Sequence, residues 1–222
     1  AGRLPRAAMA LASMACYQLI NAVCFMVPLG CSVAGATRVG AALGANRPID
    51  ARRAAKVCVG LGISIACTCS LVLLCARHLA AAVFTTDAEV KAILRDELLP
   101  RLCLYIIADA SQICCSGVLQ GCGRQREGAP WVIVAYYLIG LPTACVLAFS
   151  AKQGAAGMVS GMLIGKCSHA LAFGWLTART DWEVAAANAA RRVKEEAAAA
   201  AAGATPSGEM SKAEEEVEEA NV

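Results

Sequence analysis

The stretch from residue 7 to residue 37 reads AAMALASMACYQLINAVCFMVPLGCSVAGAT and contains no charged residue. Arg6 precedes it and Arg38 follows it. Crossing the hydrocarbon core of a bilayer, which is roughly 30 Å thick, takes about 20 apolar residues in a helix. Within lipid a segment must satisfy its own backbone hydrogen bonds, and a helix does so without a partner strand. This stretch therefore predicts a membrane-spanning helix.

Four more segments share this pattern, and together they predict the fold class. The chain is 58% hydrophobic and 17% charged, whereas soluble domains carry about 25% charged residues. The expected spans are about 7–37, 57–76, 102–123, 129–150 and 154–178. We therefore expect an all-α protein, a polytopic bundle of transmembrane helices. A net charge of +3 without a basic patch does not indicate a nucleic-acid partner.

Positive charge between the spans predicts the topology. The loop from Arg38 to Lys56 is the most basic of the short loops, so we place it in the cytoplasm together with the C-terminus. On the opposite face, Thr86 and Glu89 have capping-box spacing. They predict a short connector helix over 87–97 that ends before Pro100.

The two ends of the chain differ from its middle. Residues 183–202 are alanine-rich with interspersed charges and predict a cytoplasmic helix, whereas residues 203–222 have the composition of a disordered acidic tail. The first residue is Ala1 rather than Met, so we expect that part of the protein precedes it.

Thirteen cysteines raise the question of a disulfide scaffold or a metal site. Most lie inside apolar runs and no pair of CxxC motifs occurs, so we interpret them as small packing residues and predict no metal site. A disulfide between Cys75 and Cys103, near the same membrane face, stays open. The glycines at 117, 121 and 123 lack the GK[ST] of a phosphate loop. With no nucleotide motif or catalytic triad, we do not predict an enzyme.

Several strings, taken in order, resemble one transporter family. They are VPLGCSVA (27–34), TRVGAALGA (37–45), FTTD (84–87), GVLQGCGRQ (117–125), YYLIGLP (136–142) and TDW (180–182). Their order and spacing are similar to those of multidrug and toxin extrusion (MATE) transporters, and the eukaryotic members fit best. The resemblance covers roughly residues 7–193 and corresponds to helices 8–12 of twelve. It implies part of the C-terminal lobe, without the first lobe or the seventh helix, and so a fragment.

The resemblance also implies a function. MATE transporters are secondary antiporters, so the intact protein would export organic cations, secondary metabolites or xenobiotics in exchange for protons or sodium, without another cofactor. Its partners would be the lipid bilayer, the missing N-terminal lobe and a small-molecule substrate. Its membrane would be the plasma or the vacuolar membrane. Two alternatives remain: a lipid-linked precursor flippase of the same superfamily, and a truncated membrane protein that does not transport.

Asp109 is the leading candidate for a functional residue, because it is the only charge between Arg101 and Arg124. A carboxylate in the middle of a span is costly and is usually functional. Low dielectric favours its neutral form, so it can take up and release a proton. The family carries an acid at this position of its tenth helix, which implies a proton- or cation-coupling site. The structural alternative is an acid paired with a neighbour.

Other polar residues in the spans are candidates for a substrate cavity. Tyr105 and Gln112 share the helix face of Asp109, although both residue types also form hydrogen bonds between helices. Lys166 can reach the membrane surface, pair with Asp109 or change the preferred substrate charge. His169 can relay protons or simply pack. The remaining candidates are Tyr136 and Tyr137 in the cavity, Pro28 and Pro142 as helix kinks, and the polar residues Gln18 and Asn21 in the first span.

Overall fold

The structure is a computed structural model that describes residues 7–203, and this part of the chain is helical without strands. The all-α prediction is confirmed. We number the helices α1 (Ala7–Gly44), α2 (Pro48–Cys75), α3 (Arg77–Phe84), α4 (Ala88–Gly121), α5 (Gln125–Ser150), α6 (Gly154–Ala178) and α7 (Trp182–Gly203).

Four of these helices, α1, α2, α4 and α5, are long and apolar enough to cross a membrane. Helix α6 has 25 residues, which is a sufficient length. It is not among these four, and Lys166 and His169 lie in its middle. The crossing predicted for residues 154–178 stays a prediction.

Helix ends lie further out than the apolar runs indicated. Helix α1 continues to Gly44 and α2 already begins at Pro48, so the basic loop predicted from Arg38 to Lys56 is mostly helical. Only residues 45–47 separate the two helices. The reason is that a charged residue ends an apolar run but is compatible with a helix, so hydropathy locates the lipid-embedded part and not the helix terminus.

The connector on the opposite face differs from its prediction in two respects. Asp87, and not Thr86, caps the helix, since its Oδ1 accepts hydrogen bonds from the backbone N–H of Glu89 and Val90 at 2.9 and 3.1 Å. The helix also does not end before Pro100. A π-helical turn over Ile93–Leu98 precedes Leu99, which places Pro100 in the first turn of the following α-helical segment.

Helix α4 lies at the centre of the bundle and packs against α1, α2 and α6. Ser32 of α1 donates a hydrogen bond to the carbonyl of Ile113 at 2.8 Å. Ser70 of α2 donates to the carbonyl of Cys103 at 2.9 Å, and the Cys103 thiol donates back to the Ser70 carbonyl. Cys103 and the exposed Cys75 are both free, as are the other cysteines, so no disulfide joins them.

The first turns of α7 pack against the bundle end formed by the α1–α2 loop. Asp181 caps the helix by accepting the backbone N–H of Glu183 and Val184, both at 3.1 Å. Ala185 and Ala186 are buried in a cluster of apolar side chains from α1, α2 and α4. The second half of α7 is exposed. The acidic tail predicted for 203–222 lies outside the described residues, apart from Gly203.

Glycines let α5 and α6 approach closely. A Cβ atom on Gly161 would overlap the backbone of Ala144, and one on Gly165 would lie 2.9 Å from the Cα of Gly140. Small residues permit such backbone contacts between membrane helices. This contact sets the position of Lys166, the next residue of α6, relative to α5.

We expect Gly161→Ala to destabilise the bundle by about 1–3 kcal/mol, because the added methyl group forces the two backbones apart. Gly174→Ala is the matched control on the same helix, since a Cβ there meets no atom within 4 Å. Thermal unfolding in detergent measures both variants. Equal stability of the two would show that close packing of α5 on α6 is not required.

Candidate functional site

The centre of the candidate site is an ion pair between two helices. Lys166 Nζ of α6 lies 2.7 Å from Asp109 Oδ1 of α4, and the side chains are only 9% and 8% exposed. The contact lacks ideal hydrogen-bond geometry on Oδ1. Of the arrangements considered for Lys166, pairing with Asp109 is the one observed. Two opposite buried charges at this distance neutralise each other, so the site holds no net charge.

Two tyrosine rings flank the ammonium group of Lys166. Its Nζ lies 5.3 Å from the ring centroid of Tyr105 and 5.3 Å from that of Tyr136. A cation within about 6 Å of a ring face is attracted by the negative charge of that face. Tyr105 comes from α4 and Tyr136 from the π-helical segment Val134–Gly140 of α5, so three helices surround the ammonium group.

His169 extends the site by one turn of α6 and is packed between aromatic rings. Its ring centroid is 5.3 Å from that of Tyr136 and 4.3 Å from that of Phe173. Its Nδ1 lies 3.4 Å from the hydroxyl oxygen of Tyr136. Within the described residues, its buried Nε2 has no hydrogen-bond partner. This environment agrees with the packing interpretation of His169.

Helix α1 contributes a polar edge that the sequence analysis missed in part. Tyr17 is buried, with its ring centroid 6.4 Å from that of Tyr105. One turn further, Asn21 also faces inward, and neither the Tyr17 hydroxyl nor Asn21 Oδ1 has a partner in the part of the chain described. The i, i+4 spacing of Tyr17 and Asn21 in an apolar run was the available signal. Gln18, by contrast, is exposed.

The other predicted site residues lie around this group or away from it. Gln112 is buried one turn after Asp109 on α4. Tyr137 is 70% exposed and makes no described contact with the ion pair. Pro28 lies inside α1, and Pro142 is the second residue after the π-helical segment of α5. The kinks predicted at both prolines stay predictions.

Among the described residues, no group of three or more His, Cys, Asp or Glu side chains is arranged to hold a metal ion. The group formed by Asp109, Lys166, Tyr105 and Tyr136 is instead suited to an exchangeable cation. A carboxylate can hold a proton, a lysine ammonium or an organic cation, and only one of these at a time at close range.

Comparison with known proteins assigns the family. The MatE family model matches residues 1–146 of the chain. This chain belongs to the MatE family. Protein DETOXIFICATION 36 of Arabidopsis thaliana is 34% identical over 195 residues, which are 88% of this chain and 39% of that protein. Multidrug and toxin extrusion protein 1 of Rattus norvegicus is 34% identical over 163 residues, 73% of this chain and 29% of that protein.

The fold of this MatE chain agrees with a solved structure. The crystal structure of the eukaryotic MATE transporter AtDTX14 superposes with a TM-score of 0.83 at 31% identity, covering 86% of this chain and 43% of that one. The resemblance to eukaryotic MATE proteins is thus confirmed, and with four apolar helices the chain is a multi-pass membrane protein. It spans between 29% and 43% of the length of these three relatives.

Proposed function

We propose that this chain is part of the C-terminal lobe, helices 8–12, of a secondary antiporter that exports organic cations or metabolites in exchange for protons or sodium. The observation that carries the proposal is the buried pair of Asp109 and Lys166 between tyrosine rings. A charged pair in the middle of apolar helices is costly and is kept where it serves transport. The relatives are named for extrusion and detoxification, and we propose transport rather than enzymatic catalysis.

Exchange requires that substrate and coupling ion compete for one group. Asp109 provides that group. A proton on its carboxylate releases Lys166, and an organic cation must displace whichever of the two, proton or lysine ammonium, then occupies the carboxylate. The rings of Tyr105 and Tyr136 then present to an organic cation the same faces that they present to Lys166. The lobe that completes the cavity lets this site open alternately to each side.

A lipid-linked precursor flippase would need a wider cationic cavity, and in the sequence Lys166 favoured this alternative. Because Asp109 neutralises Lys166, the buried site has no surplus positive charge. The alternative of a membrane protein that does not transport is tested directly by assaying vesicles with the complete transporter. Proton and sodium gradients applied separately identify the coupling ion, and absence of efflux with either gradient would contradict the proposal.

We expect residues 1–222 expressed alone not to transport, since half of a cavity cannot alternate its access between two membrane faces. The assay is proton-driven uptake of a fluorescent organic cation into vesicles, with the complete transporter as the positive control. Crosslinking establishes whether the chain is monomeric in these vesicles. Saturable uptake by the monomer would show that the first lobe is dispensable.

We propose a plasma- or vacuolar-membrane location with the α1–α2 loop and the C-terminus in the cytoplasm. In a background without cysteines, Arg47→Cys should be protected from an impermeant thiol reagent outside intact cells or on the lumenal side of vacuoles. Ala88→Cys, at the opposite end of the helices, should react with the reagent. Because cysteines at both positions would be exposed to water, only the side of the membrane distinguishes them. The reverse labelling pattern would invert the topology.

A further inference from the structure

A second cavity, of about 960 Å³, lies between the start of α2 and the junction of α6 and α7. It is remote in sequence from Asp109 and shares no lining residue with the site described above. Apolar side chains, Ile49 and Val59 among them, contribute to its lining. Charged side chains lie around it, and the lining also includes Trp182.

The tryptophans place this cavity at a membrane–water interface. The chain has three tryptophans, and all lie toward this end of the helices. Trp131 and Trp175 are partly exposed and meet edge to face at 6.3 Å between ring centroids. The guanidinium of Arg179 lies 4.5 Å from the centroid of Trp175. Tryptophan and arginine at helix ends mark the level of the lipid headgroups.

The charges on the cavity walls are separated by sign. Arg52 and Lys56, one turn apart on α2, form the basic wall, while Asp181 and Glu183 at the α6–α7 junction form the acidic wall. Among the described residues, none of the four forms an ion pair. The N-terminus of α2 also has no side-chain cap, and the carboxylate in its first turn, Asp50, is outside the cavity and paired with Arg47 and Arg53. The helix dipole therefore adds positive charge to the basic wall.

We propose that this cavity binds the headgroup of a zwitterionic glycerophospholipid that carries a phosphate and a primary ammonium, as in phosphatidylethanolamine. The phosphate lies against Arg52, Lys56 and the first turn of α2. The ammonium group donates hydrogen bonds to Asp181 and Glu183, and the acyl chains leave along the apolar wall. Two charges of each sign line the cavity. The two carboxylates would therefore repel a purely anionic headgroup.

The test is competition among lipids for the full chain. The chain, purified in detergent, receives equal amounts of phosphatidylethanolamine, phosphatidylcholine and phosphatidylglycerol with matched acyl chains, and native mass spectrometry counts the bound lipids. We expect phosphatidylethanolamine to dominate. Arg52→Gln and Lys56→Gln should each lower its binding about fivefold. Arg53→Gln is the control, because Arg53 is exposed on the same turn but faces Asp50 and lies outside the cavity.

A charge change on the other wall gives an independent readout. Glu183→Gln removes one negative charge at an exposed position and should shift the preference from phosphatidylethanolamine toward phosphatidylglycerol. Equal binding of the three lipids, or no bound lipid, would overturn the proposal. So would equal loss in Arg53→Gln and Arg52→Gln, or an unchanged preference in Glu183→Gln.

Discussion

Asp109→Asn is expected to abolish proton-driven efflux by the complete transporter and to lower its stability by about 3 kcal/mol. Efflux is lost because asparagine has a similar size but cannot take up a proton or hold a cation by charge. Stability falls because Lys166 is left buried without its partner, and removing one member of a buried ion pair strongly destabilises a protein. Efflux in vesicles and thermal unfolding in detergent measure the two effects.

A double variant separates transport from folding. Asp109→Asn combined with Lys166→Gln removes both charges and should recover most of the lost stability without recovering efflux. Asp109→Glu keeps the carboxylate and should retain partial activity. Wild-type, pH-dependent efflux in Asp109→Asn at matched expression would remove Asp109 from the mechanism.

Lys166→Gln is expected to change the pH profile of efflux and to tighten substrate binding. The ammonium group of Lys166 is the counter-charge of the buried Asp109 carboxylate, so its loss changes the competition between proton and cation for that carboxylate. The cationic substrate also no longer competes with the Lys166 ammonium group for Asp109. The half-saturation concentration of the substrate should therefore fall by about tenfold.

The measurement is efflux against pH and against substrate concentration at matched expression. Lys152→Gln is the control, since Lys152 is an exposed lysine just before α6 and its loss leaves the ion pair intact. If Lys166→Gln reproduced the wild-type pH profile and half-saturation concentration, the pair with Asp109 would have no part in coupling.

Sequence alone predicted the helical fold class and singled out Asp109 as the leading candidate, because both inferences depend on local properties. An apolar run of about 20 residues must form a helix in lipid whatever its neighbours are. A single carboxylate in such a run, Asp109, stands out against its surroundings without knowledge of contacts. The sequence strings that resemble MATE transporters are likewise short local patterns, and this is why the resemblance could be recognised before the structure.

Only the tertiary structure showed which polar side chains from different helices contact one another. Lys166 had several possible environments in sequence, and only the packing of α6 on α4 and α5 brings it to Asp109, Tyr105 and Tyr136. Tyr17 joins the site solely because α1 crosses α4 at Tyr105. Pro100 lies within helix α4, directly after a π-helical turn and Leu99, which the sequence did not indicate. The apolar runs determined which segments are embedded in lipid, whereas close contacts between helices decided which of their polar groups meet.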